Sequence, residues 1–102
     1  MVKLIALYKK PADAEAQAAF EKHYFEIHMA LVAKIPGMLK SEVAKINTFA
    51  GQESKYFLLA EMYFESVDKL NEGMASPEGK AAGRDLMSFA KGYVEMSIGE
   101  VI

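Results

Sequence analysis

Residues 56–64 read Tyr-Phe-Leu-Leu-Ala-Glu-Met-Tyr-Phe, and they constrain the fold more than any other segment of this chain. Aromatic and aliphatic residues favour β-strands, in which successive side chains point to opposite faces of the sheet. The alternation predicts two sets, with Tyr56, Leu58, Ala60, Met62 and Phe64 on one face and Phe57, Leu59, Glu61 and Tyr63 on the other. Both sets are mainly apolar, which indicates a strand whose two faces are both covered.

Three further strands are predicted, at residues 2–8, 38–46 and 92–101. A long helix begins at the N-cap Asp13 and runs to about Lys34, where Ile35-Pro36-Gly37 ends it. A second helical region follows Ser66 and breaks near residues 75–76. Its later part begins with Ser76 as N-cap, followed by a proline at the first helical position.

The order β-α-β-β-α-β is typical of the ferredoxin-like α+β fold, an antiparallel four-stranded sheet with both helices on one face. We treat residues 1–102 as one domain, because the chain has 102 residues. The helices can cover only one face of the sheet, yet residues 56–64 and the first strand are apolar on both. A large exposed apolar sheet usually marks an interface, so we expect a homodimer with the two sheets packed face to face.

Composition argues against several classes of function. The net charge is −2, and no segment combines clustered basic residues with aromatics, so nucleic acid is not an expected partner. No apolar run reaches the ~18 residues that a membrane span needs. Cysteine is absent, which removes disulfides and thiol nucleophiles, and residues 1–7 are too short for a signal peptide. We therefore expect a cytoplasmic protein.

His28 is the strongest candidate for chemistry. Helical spacing aligns it with four apolar or aromatic residues of the long helix, Phe20, Tyr24, Leu31 and Ile35. Imidazole can take and give protons near neutral pH, and burial of an unpaired ring lowers its pKa, which suits a general base. The alternative is a core histidine hydrogen-bonded to a backbone carbonyl.

The second histidine, His23, lies five residues before His28. In an α-helix that separation is ~500°, so the two rings should point ~140° apart and cannot share a metal ion. We therefore expect no metal site and a solvated His23.

The segment Tyr24…His28-Met-Ala-Leu31-Val32, followed by Ile35-Pro36-Gly37-Met38, resembles the EthD family of the dimeric α+β barrel superfamily. Members of that family commonly have the sequence Tyr/Trp-x-x-x-His-x-Pro-Leu-Val before a Leu-Pro-Gly turn. This chain departs from that pattern at Ala30, where proline is frequent. The resemblance implies a ferredoxin-like fold, a homodimer, and a cavity between the sheet and the helices of each subunit.

The resemblance also limits the functions to consider. Relatives in the wider superfamily include cofactor-independent oxygenases, isomerases, cyclases and decarboxylases, and also haem-dependent enzymes. We expect a small apolar or aromatic ligand between the first helix and the sheet, and an oxidoreductase, lyase or isomerase activity without a bound cofactor. His28 would then be the catalytic proton handler. The alternatives are a non-catalytic carrier of a hydrophobic metabolite and a haem binder.

Five residues are candidates for substrate binding: Tyr24, Tyr8, Leu31, Glu61 and Tyr63. Each tyrosine has packing as its alternative role. Glu61 interrupts an apolar strand, so it needs either an ionic partner, such as Lys3 across a dimer interface, or a raised pKa. Gly79 and Gly83 lie inside a helical stretch, where they permit close packing or loosen the helix.

Overall fold

Four strands form one sheet in the computed structural model, which describes residues 1–102. The strands are β1 (Val2–Lys9), β2 (Met38–Lys45), β3 (Tyr56–Phe64) and β4 (Val94–Glu100). Their order across the sheet is β2-β3-β1-β4, and every neighbouring pair is antiparallel. The predicted ferredoxin-like α+β architecture is confirmed.

The helices begin where the capping residues predict. The first helix spans residues 14–32 and comprises α1 (Ala14–His23), a π-helical turn (Tyr24–His28) and α2 (Met29–Val32). The second helical region comprises α3 (Val67–Ala75) and α4 (Pro77–Ala90). Three side chains cap α1, α3 and α4 by accepting a backbone N–H: Asp13, Ser66 and Ser76.

The core lies between the helices and one face of the sheet. Strand β1 alternates regularly between buried and half-buried side chains. Its buried set is Val2, Leu4, Ala6 and Tyr8. These residues pack with buried residues of β3 and of the helices, among them Leu58, Phe64, Phe20, Ile35, Leu70 and Leu86.

The other face of the sheet has no helix over it. Ile5, Leu7 and Leu59 are half-buried there. On the same face Lys3 Nζ lies 2.6 Å from Glu61 Oε2. The expected partner of Glu61 is therefore correct, but the pair forms within one chain instead of between subunits. The Lys40 ammonium lies 4.5 Å from the centre of the Tyr63 ring.

A β-bulge changes the predicted faces at the start of β3. Tyr8 pairs with Leu58 and Lys9 pairs with Tyr56, so Phe57 is an extra residue on β3. Phe57 consequently turns to the helix side, where it is 4% exposed and packs edge-on against Phe20. The predicted placement of Phe57 on the same face as Leu59, Glu61 and Tyr63 is wrong, because strict alternation does not allow for a bulge.

None of the helices is long and apolar enough to span a bilayer. The cytoplasmic location stays a prediction.

Candidate functional site

The π-helical turn places the two histidines of the first helix on the same side. The Met29 N–H donates to the carbonyl of Tyr24, five residues earlier, instead of to a carbonyl four residues earlier. Residues five apart approach each other across such a wider turn. The predicted divergence of ~140° between the His23 and His28 rings applies only to a regular α-helix, and it is wrong here.

Both histidines bind one carboxylate, that of Asp85 on α4. His28 Nδ1 lies 2.9 Å from Asp85 Oδ2, and His23 Nε2 lies 2.9 Å from Asp85 Oδ1. An ionised carboxylate can only accept hydrogen bonds, so each ring nitrogen that faces it carries a hydrogen. Neutral His28 is thereby held as the Nδ1–H tautomer, and its Nε2 keeps a free lone pair.

Burial sets the charge of His28. The residue is only 5% exposed, and its ring lies 5.2 Å from the ring of Phe89 and 5.5 Å from that of Tyr24, measured between centres. Burial lowers the pKa of His28, while the Asp85 carboxylate opposes that shift without cancelling it. The ring is therefore neutral at physiological pH and able to accept a proton at Nε2.

His23 is not the solvated residue that its neighbours in the sequence predict. Its side chain is 29% exposed, it donates to Asp85, and its ring packs against Phe89 at 4.3 Å between centres. The expectation was wrong because the extra residue of the π turn brings His23 round towards α4.

Two tyrosines supply neutral hydroxyl groups beside His28. Tyr8 and Tyr24 are buried and pack edge-on, with their ring centres 5.4 Å apart. Burial raises the pKa of Tyr24 to about 12 and raises the pKa of Tyr8 further, because an ionised phenol loses its hydration there. Both side chains therefore keep their O–H at physiological pH and can donate it to a ligand oxygen.

Two adjoining cavities lie between the first helix and the sheet. Four residues line both of them: Tyr8, His28, Val32 and Met62. The first cavity continues towards α4 along Ala82 and Leu86, and the second continues towards β2 along Ser41 and Val43. The lining is mainly apolar, and it includes the imidazole and the phenols described above.

Each cavity has a volume of about 30 Å³. That is roughly the share of one water molecule in the liquid, far below the ~300–1,000 Å³ of small-molecule pockets. Haem is far larger than this space. A smaller organic ligand would have to widen the cavities, and the flexible side chain of Met62 is suited to move.

The structure brings together some of the predicted site residues and separates others. Tyr8 and Tyr24 lie beside His28. Leu31 packs against the core without lining either cavity, whereas its neighbour Val32 lines both. Glu61 and Tyr63 lie on the opposite face of the sheet, so they cannot contact a ligand held between the sheet and the helices.

Asp85 is the residue that the sequence reasoning missed. It lies three residues after Ala82 and four before Phe89, and both of these pack into the core region. A carboxylate on the buried stripe of a helix is the same kind of signal that singled out His28. The spacing within α4 could therefore have identified Asp85, although not its partner.

Comparisons with known proteins agree with this architecture. A family model described as "EthD domain" matches residues 12–92. An uncharacterized 11.0 kDa protein from the thcB-thcC intergenic region of Rhodococcus erythropolis is 36% identical over 96 residues, which cover 94% of this chain and 90% of that protein.

Solved structures also match this chain over nearly its whole length. The crystal structure of an EthD family protein from Bacillus halodurans is 43% identical, with a TM-score of 0.93 over 100% of this chain and 99% of that one. A dimeric protein of unknown function and ferredoxin-like fold from Bacteroides fragilis is 26% identical. Its TM-score is 0.68 over 98% of this chain and 95% of that one.

Proposed function

This chain belongs to the EthD family, and we propose that it binds a small apolar or aromatic organic molecule between the first helix and the sheet and transfers a proton with His28. The observation that carries the proposal is the state of that imidazole. It is buried, it is held by Asp85 through Nδ1, and it lines an apolar cavity. A purely structural histidine would not need to line a cavity as well as bind Asp85.

The surrounding groups suit removal of a proton from carbon next to a carbonyl group. His28 Nε2 takes the proton, the electrons of the broken C–H bond form the carbon–carbon double bond of an enolate, and the charge moves to the ligand oxygen. A neutral phenol of Tyr8 or Tyr24 donates a hydrogen bond to that oxygen, where charge develops. Return of the proton to the original carbon completes a hydrogen exchange, and its transfer to the oxygen completes the isomerisation of the ketone to its enol.

The proposal can be tested with an aromatic ketone as the probe. We expect the wild-type protein to catalyse exchange of the α-hydrogens of acetophenone in D₂O, followed by NMR, and His28→Ala to exchange them about 10²- to 10⁴-fold more slowly. The affinity for acetophenone, measured by ligand-observed NMR, should be retained. Lys22→Gln is the matched control on the same helix and should leave the exchange rate unchanged.

The same experiment separates an enzyme from a carrier. Binding of the ketone with equally slow exchange in the wild type and in His28→Ala would support the carrier function. Unchanged rapid exchange in His28→Ala would remove His28 from the mechanism.

We also propose that the protein is a homodimer joined through the uncovered face of its sheets. Ile5, Leu7 and Leu59 are only half-buried on that face, and the Bacteroides fragilis protein of the same fold is described as dimeric. Packing two such faces together would remove the apolar side chains of both subunits from water.

Substitution of Leu59 by lysine tests the dimer. We expect the wild type to sediment as a dimer at micromolar concentration and Leu59→Lys as a folded monomer, because an unpaired ammonium would be buried between the sheets. Phe49→Lys is the control, since Phe49 is 84% exposed in a loop. A monomeric wild type, or a dimeric Leu59→Lys variant, would contradict the proposed interface.

A further inference from the structure

The two histidines of the first helix differ in exposure but share one partner. Asp85 uses a different oxygen for each ring, with both nitrogen–oxygen distances at 2.9 Å. We propose that His23 is a positioning residue that acts on His28 through Asp85: when His23 is protonated it takes the negative charge of the carboxylate, and His28 stays a neutral base. The predicted effect of His23 on catalysis rests on the proposed function, whereas its predicted effect on the protonation of His28 does not.

The geometry makes the two rings compete. Asp85 carries one negative charge and cannot fully neutralise two imidazolium ions. The His23 side chain is 29% exposed and that of His28 is 6% exposed, so water stabilises a charge on His23 far better than one on His28. Protonation of His28 is therefore opposed both by its burial and by a charge on His23, while His28 keeps its hydrogen bond from Nδ1–H to Asp85.

Besides Asp85, the ionisable groups that face His28 are two tyrosines, and they carry no charge that would change its proton affinity. Tyr24 faces it from the π turn and Tyr8 from β1, and both phenols are neutral over the relevant pH range. Asp85 is the group that faces it from α4. The charges that act on His28 are thus those of Asp85 and His23, which have opposite effects on its proton affinity.

A pair of substitutions at His23 gives opposite predictions. His23→Gln can still donate a hydrogen bond to Asp85 but never becomes charged, so the whole carboxylate charge acts on His28. We expect the pH midpoint of the His28 ring, measured by ¹⁵N NMR on the ligand-free protein, to shift upward. His23→Lys places a permanent cation beside Asp85, and the midpoint should stay at the wild-type value or shift downward.

The measurement also distinguishes positioning from a structural role. Lys22→Gln removes a neighbouring charge of the same helix and serves as the control for a general electrostatic effect. An unchanged His28 midpoint in His23→Gln, or shifts of the same sign in the glutamine and lysine variants, would overturn the inference. If His23→Lys does not fold, His23→Gln must still show the upward shift, and if His23→Gln does not fold, an upward shift in His23→Lys would overturn the inference.

The expected shift of the His28 midpoint in His23→Gln also predicts a change in the pH dependence of catalysis. Where acetophenone exchange is measurable, the acid limb of its pH–rate profile should move to higher pH in His23→Gln, because His28 becomes protonated at higher pH and can no longer act as a base. A wild type that exchanges no ketone would contradict the proposed function and leave the titration result standing, so the two failures are distinguishable.

Discussion

Asp85→Asn is expected to slow proton transfer by about 10²- to 10⁴-fold while the fold is retained. Asparagine offers one oxygen and one NH₂ group where aspartate offers two oxygens, so only one of the two histidines can still donate to it. If the NH₂ group faces His28, that ring must accept at Nδ1 and carry its hydrogen on Nε2. Nε2 then has no free lone pair with which to accept a proton.

The combined variant tests this mechanism. Residues that act as a unit are strongly non-additive, so adding Asp85→Asn to His28→Ala should lower acetophenone exchange little further. Circular dichroism of each variant checks that the fold is intact. Additive losses would show that Asp85 supports activity by a route other than His28.

Gly79→Ala should cause the largest loss of stability among conservative changes in the second helical region. A Cβ at Gly79 would lie 2.6 Å from Met74 Cα and would also meet the carbonyl of Gly73, because α3 and α4 turn sharply on each other at Ser76. These obstacles are backbone atoms, which cannot rotate away as a side chain does. We expect the free energy of unfolding to fall by about 3 kcal/mol, a large part of the roughly 5–15 kcal/mol of a typical domain.

Gly83→Ala is the matched control in the same helix. A Cβ at Gly83 would meet no atom within 4 Å, so alanine should stabilise α4 by about 0.5–1 kcal/mol through its higher helix propensity. Urea unfolding followed by circular dichroism, at one protein concentration, measures both variants. Equal stability of the two would show that the junction between α3 and α4 can relax to admit the methyl group.

Gly79 and Gly83 also show what local sequence can and cannot predict. Both have the same helical context, and both were open to the same two interpretations. Their surroundings differ because the turn at Ser76 brings α3 against the first turn of α4, where Gly79 lies. Close packing is therefore confirmed for Gly79, while Gly83 has open space around it.

The secondary structure was predictable because its signals act over a few residues. Asp13, Ser66 and Ser76 each accept a backbone N–H three residues ahead, an interaction that the local sequence specifies. The bounds of β3 were predicted fully, while its bulge at Phe57 was not. A bulge depends on pairing with β1, which is more than forty residues away in the chain.

In the candidate site, too, the local sequence predicts some features and only tertiary contacts decide the others. The sequence by itself determined the α+β fold and placed His28 on a buried helical stripe, because periodicity reports which side chains leave water. Only the tertiary structure decided that His28 and His23 share Asp85, since the first helix has a π turn where the pattern predicts a regular α-helix, and Asp85 lies 57 residues beyond His28. Periodicity shows which face of a helix is buried, but the packing of α4 against the first helix decides which side chains meet there.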